Sequence, residues 1–105
     1  MGEAPREDRP ESVALVRGLS LLDATLLIVE DDPPYARMLL EAAHQKGFKA
    51  LVAHNGAEAL TLAQKFDLAA VTLDVFLPDM LGWTVLNHLK HDPKTRHIPV
   101  QDFGF

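Results

Sequence analysis

Hydrophobic and polar positions alternate along the chain in blocks that change period. Residues 25–29 (TLLIV) form an apolar run of strand length, closed by Glu30, Asp31 and two prolines. Asp32 then fits a helix N-cap with Pro33 in the first turn, where a missing N–H does no harm. The helix is predicted to run to Lys46 and stop at Gly47, with Tyr35, Met38, Leu39 and Ala42 as its apolar face. Residues 48–53 (FKALVA) read as a second strand, Asn55-Gly56 as a turn, and 57–66 as a short helix with Ala59, Leu62, Ala63 and Phe66 inward. The unbroken apolar run at 68–74 (LAAVTLD) implies a third strand covered on both faces, as in a parallel sheet. Pro78 and Gly82 bracket a loop, and 83–90 read as a third helix with Trp83 in the core beside Val85, Leu86 and Leu89. A loop at 92–96 (DPKTR) precedes a fourth strand beginning HIPV at 97. The order βαβαβαβ predicts an α/β layered domain with right-handed crossovers. Residues 1–12 read as a solvated tail, and 13–23 as a short helix interrupted by Gly18 or as linker.

Composition narrows the function classes. At 105 residues and 48% hydrophobic, the chain suffices for one small domain. A net charge of −5 argues against a broad nucleic-acid footprint, which needs clustered Lys and Arg. With no cysteine, disulfides, thiolate metal sites and cysteine nucleophiles are excluded. No apolar run approaches the ~18 residues of a membrane span, and the charged, Pro-containing start (MGEAPREDRPE) is unlike a signal peptide. A cytoplasmic protein is the expectation.

The candidate chemistry lies in carboxylates at strand ends. Glu30 and Asp31 follow the first strand, and Asp74 ends the third. Ligands of open parallel sheets bind outside the carboxyl ends of strands. If the first and third strands are neighbours, the three carboxylates converge, and convergence without a cation is repulsive. Mg²⁺ suits such a cluster because it takes one or two carboxylates, keeps water and accepts phosphate oxygens. A carboxylate beside it can act as a nucleophile toward phosphorus, giving an aspartyl phosphate. Each feature alone has a plainer reading: EDDP as a helix cap with dipole complement, an Asp at a strand end as a turn former.

The segments LLIVEDDP (26–33), AHNGAEAL (53–60), VTLDVFLPDMLGW (71–83) and DPKTRHIPV (92–100) together resemble the receiver domain of two-component response regulators and hybrid sensor kinases. The resemblance covers about residues 24–100, leaving 1–23 as an extension or linker and 24–105 as the domain. It implies a flavodoxin-like fold, five parallel strands ordered 2-1-3-4-5 with helices on both faces. It implies Asp74 as phosphoacceptor, Glu30 and Asp31 as the acidic pair, Asp31 as a direct Mg²⁺ ligand and Phe76 as a backbone-carbonyl ligand. A histidine kinase or histidine phosphotransfer domain would be the phosphodonor.

Two departures accompany the match. Family members carry Ser or Thr at the end of the fourth strand and Lys at the end of the fifth. Here IPV is followed by QDFGF, without a hydroxyl or a fifth strand. The chain thus reads as a receiver truncated in its fourth strand, with about four strands and three helices. Thr72, Thr84 and Lys90 are not assigned as substitutes. An exposed fourth-strand edge invites dimerisation or strand exchange. The alternative function is a phosphorylation-independent interaction module. An independent enzyme ranks last, because Asp-nucleophile phosphatases place a second Asp where this chain has Phe76. Asp102-Phe103-Gly104 matches the kinase metal-binding tripeptide without a kinase's other motifs, and reads as a C-terminal remnant. His88, His91 and His97 read as a solvated polar surface rather than a metal site.

Overall fold

The computed structural model describes residues 25–103, with side chains described as far as Gln101. The expectations for residues 1–23 lie outside the described residues. Four strands, β1 (Thr25–Val29), β2 (Lys49–Ala53), β3 (Ala70–Asp74) and β4 (Val100–Phe103), form one parallel sheet in the order β2-β1-β3-β4. Helices α1 (Pro33–Gln45), α2 (Gly56–Lys65) and α3 (Gly82–His91) supply the crossovers. This is the flavodoxin-like arrangement, with four strands and three helices among the described residues against the five and five of the family fold.

Strand periodicity sorts the core into two layers. Leu27, Val29, Val71 and Leu73 point to one face and are sealed by Ala59 and Ala63 of α2 and Val85 and Leu89 of α3. Ile28 and Ala50 point to the other face, against Ala43 of α1. In the β1–β3 register Val29 stands beside Leu73, so Glu30 emerges level with Asp74.

The α1 stripe is offset by one residue from the expected one. Ala36 and Ala43 are buried, and Leu39 and Leu40 pack partly against the sheet. Tyr35 is 37% and Met38 53% exposed, and Ala42 is also exposed. Both stripes satisfy a 3.6-residue period and share Leu39. The two alanines let the helix backbone approach β1 and β2 more closely than Tyr and Met side chains would.

Helix α1 ends as its sequence predicts. Gly47 takes φ 88°, its N–H donates to the His44 carbonyl at 3.0 Å, and Phe48 N–H donates to Ala43 at 3.0 Å. This Schellman closure needs a left-handed residue. A Cβ at Gly47 would meet nothing within 4 Å, so only the backbone resists substitution. Gly47→Ala should therefore cost about 1–2 kcal/mol, the left-handed penalty of an L-residue, read as a lower urea midpoint at unchanged slope.

The Asn55-Gly56 turn is the start of α2, with Asn55 as its N-cap. The Asn55 φ is −156°, and its side-chain oxygen accepts from Glu58 N–H at 2.8 Å. Glu58 reaches back to His54 N–H at 2.7 Å, so the first turn is tied from both sides.

Two further expectations are corrected at α3 and β4. Trp83 is 44% exposed rather than buried, because α3 turns Val85 and Leu89 to the sheet and position 83 falls off that stripe. The fourth strand begins at Val100, not at residue 97. Asp92 first organises a compact turn, its carbonyl accepting from Thr95 and Arg96 N–H and its carboxylate from Lys94 N–H. Thr95 is buried with its hydroxyl donating to the Leu89 carbonyl at 2.7 Å. Lys90 donates to the carbonyls of Arg96 and Ile98, closing the same corner. Asp102 and Phe103, read as a remnant, continue β4 and pair with Leu73 and Asp74.

Candidate functional site

The carboxyl ends of β1 and β3 bring Glu30, Asp31 and Asp74 together. One carboxylate oxygen from each lies within 4.8 Å of the others. Adjacency of the two strands, on which the convergence depended, is met by the sheet order. Glu30 is 7% exposed, Asp74 is half-buried and Asp31 is open to solvent. Glu30 is held by its own N–H donating to the Ala53 carbonyl at 2.9 Å, while its carboxylate accepts from Asp32 N–H at 3.1 Å. Asp32 itself caps α1 through Tyr35 N–H at 3.1 Å, so the acidic pair is fixed by the start of that helix. Asp74 accepts from Phe76 N–H at 3.3 Å.

Burial raises the Glu30 carboxyl above the ordinary carboxylate range, and the charges of Asp74 and Asp31 push it further the same way. The hydrogen bond from Asp32 opposes this. Both of those charges acting on Glu30 are acidic. The donor set is all carboxylate oxygen, without His or Cys, which fits a hard divalent cation of the Mg²⁺ class. Such an ion would offset both the desolvation and the repulsion.

Phe76 itself is 68% exposed, and its loop closes on itself. Phe76 and Leu81 form an isolated antiparallel bridge, and Gly82 N–H donates to the Val75 carbonyl at 2.6 Å. Of the residues without an assigned role, only Thr72 shares a strand face with the acidic cluster. Lys90 is spent on Arg96 and Ile98, and Thr84 is exposed on α3. Thr72 shares the strand face of Asp74, and its buried hydroxyl has no hydrogen-bond partner among the described residues. His88 and His91 are exposed, with His91 Nδ1 bonded to the Asn87 carbonyl.

Sequence reasoning missed Asp79. Its two carboxylate oxygens accept from Gly56 N–H at 2.8 Å and Ala57 N–H at 2.9 Å, joining the loop after β3 to the start of α2. Nothing local signals this contact, since Asp after Pro78 reads as an ordinary turn residue. These hydrogen bonds, Gly56 first and Ala57 second, hold the Asp79 carboxyl below its ordinary value. A depressed native value means that the stabilisation is present above the unfolded value, about pH 4, and is lost as pH falls through the native value. Asp79→Asn should therefore flatten the decline of the urea midpoint below about pH 4 relative to wild type.

Comparison with known proteins settles the family. The model of the response regulator receiver domain matches residues 26–101. This chain belongs to the receiver-domain family. A probable cyclic di-GMP phosphodiesterase of Vibrio cholerae is 35% identical over 80 residues, 76% of this chain and 18% of that protein. The response regulator PleD of Caulobacter vibrioides is 37% identical over 79 residues, 75% of this chain and 17% of that protein. The signal receiver domain of a histidine kinase from Syntrophus aciditrophicus superposes with a TM-score of 0.75 at 30% identity, covering 78% of this chain and 62% of that one. The chain thus spans under a fifth of these two curated relatives and under two thirds of the solved receiver. Membership places it in two-component signalling, in a family of signal modules rather than enzymes. No helix among the described residues is long and apolar enough to cross a membrane.

Proposed function

We propose that this receiver accepts a phosphoryl group on Asp74 from a histidine kinase or a histidine phosphotransfer domain. The observation that carries the reading is the convergence of Glu30, Asp31 and Asp74 at the ends of two neighbouring strands. An Asp74 oxygen attacks the phosphorus of a phosphohistidine, the P–N bond breaks, and the imidazole nitrogen leaves with the electron pair and takes up a proton. Asp31, Glu30, Asp74 and the Phe76 carbonyl would hold Mg²⁺, which supplies charge neutralisation for the transferring group. Glu30 fixes the geometry from its buried position, and Asp31 presents the open, solvent-side ligand. Exposed Tyr35 and Met38 on α1, with Phe76 and Leu81 at the same end of the sheet, offer apolar ground for a protein donor. A cytoplasmic setting accords with the absence of cysteine.

The test is incubation with a small phosphodonor such as phosphoramidate and saturating Mg²⁺, followed by intact-mass and peptide analysis. One phosphoryl group on Asp74, absent when EDTA replaces Mg²⁺, is the expected result. No adduct on a folded, Mg²⁺-saturated protein sinks the reading.

The second reading, an interaction module indifferent to phosphate, is favoured by one observation. Gly104, not a hydroxyl residue, follows β4, and the Lys90 ammonium is engaged by the Arg96 and Ile98 carbonyls. Among the described residues β4 pairs only with β3, so its far edge can take a strand from a second copy. Under this reading sedimentation shows a dimer whose affinity ignores beryllofluoride, whereas a phosphate-responsive receiver changes its association when that mimic binds.

A further inference from the structure

The segment between Asp74 and α3 is held at three points. Leu77 N–H donates to the Met80 carbonyl at 3.3 Å, Gly82 N–H reaches Val75, and Phe76 bridges Leu81, so residues 75–82 close on themselves. The closed loop is then fastened to α2. Asp79 satisfies the N–H groups of Gly56 and Ala57, two of the four that a helix start leaves without intrahelical partners. The Met80 side chain lies so close over Gly56 that an added Cβ there would stand 2.5 Å from its Cγ. Phe76, whose N–H meets the Asp74 carboxylate, sits in the middle of this fastened segment.

We propose that Asp79 is a positioning residue of the acidic site, its bridge to the α2 N-terminus fixing the closed 75–82 loop and hence the Phe76 backbone beside Asp74. The proposal rests on the reading of Glu30, Asp31 and Asp74 as a cation site. A residue that acts only as a turn former or helix cap would change stability and leave the site alone. A residue that orients the atoms behind a metal ligand changes affinity, by about 10–100-fold in known metal sites.

The experiment compares wild type, Asp79→Asn and Asp79→Ala in the full chain. Three readouts are needed: Mn²⁺ affinity by water-proton relaxation, amide hydrogen exchange, and thermal midpoint. Mn²⁺ serves as a hard, paramagnetic probe of an oxygen-donor site. Asp79→Ala should weaken Mn²⁺ binding by about tenfold or more and speed exchange at Leu77 and Gly82, with Leu27 and Ile28 in β1 unchanged. Asp79→Asn should fall between, because its amide oxygen can still accept hydrogen bonds but carries no charge. It also keeps the test open if the alanine variant does not fold. A lower midpoint with wild-type Mn²⁺ affinity and wild-type loop exchange overturns the proposal and leaves Asp79 as a cap. If wild type itself binds no Mn²⁺, the cation reading fails. Exchange at Leu77 and Gly82 then decides whether Asp79 holds the loop, unchanged rates overturning the proposal and faster rates supporting it.

Discussion

Asp74→Asn is expected to abolish phosphoryl uptake while leaving the metal-free domain more stable than wild type. The substitution keeps the size of the side chain and can retain the contact with Phe76 N–H. It removes the anionic oxygen, and an amide oxygen is too poor a nucleophile to replace it. It also removes one of three carboxylates whose oxygens lie within 4.8 Å. Asp74 contributes, after burial, to the unfavourable ionisation of Glu30. Relief of that repulsion should be worth about 1 kcal/mol, discounted because Asp74 is partly solvated and screened. Two measurements check this: intact mass after phosphoramidate treatment, and the urea midpoint in EDTA. Uptake that survives the substitution moves the acceptor elsewhere. A metal-free variant less stable than wild type means that Asp74 makes contacts outweighing its repulsion. Opposed effects on stability and activity are the signature of a site held together against its own charge.

Gly82→Ala is expected to damage the site without touching any carboxylate. A Cβ at Gly82 would lie 2.5 Å from the Asp74 carbonyl oxygen and 3.0 Å from Val75 Cα. Those are backbone atoms at the end of β3, which cannot swing aside as a flexible side chain can. The hydrogen bond from Gly82 to Val75 and the start of α3 must shift instead. Overpacking of this kind costs about 1–3 kcal/mol, and the displacement falls on the residue proposed to react. The expected result is a lower urea midpoint together with weaker Mn²⁺ binding. Gly56→Ala is the control, since the three atoms nearest its Cβ would all belong to the Met80 side chain, a thioether with several rotatable bonds. It should perturb stability less, and equal damage from both would mean that Met80 is as immobile as backbone.

The sequence made the strands and the acidic cluster legible because both follow from local patterns. Apolar runs ending in Glu30-Asp31 and in Asp74 locate strand ends, and the strand order implied by the family resemblance sets the first and third strands side by side, as the sheet has them. The rest depended on contacts that local pattern does not encode. Which of two equally periodic stripes of α1 faces the sheet was decided by how closely Ala36 and Ala43 let it approach. Trp83 looked like core by size alone, yet position 83 lies off the stripe that Val85 and Leu89 define. The start of β4 was misplaced because Ile98 is apolar and buried but belongs to the turn organised by Asp92. Asp79 was invisible because its partners are backbone N–H groups more than twenty residues away, and every sequence has those.

The β1–β3 register carries a further consequence for how the acidic site can be lost. Side chains on a strand alternate, so Asp74 faces as it does only while Val71 and Leu73 face α2 and α3. Inserting or deleting one residue within β3 would turn Asp74 toward the α2 and α3 layer and move Val71 and Leu73 out of it in one step. Frame-preserving length changes in that strand therefore cannot yield a silent, well-folded relative, whereas single substitutions at Asp74 can. Relatives that kept the scaffold and lost the proposed acceptor should carry an altered letter at position 74, not an altered length before it.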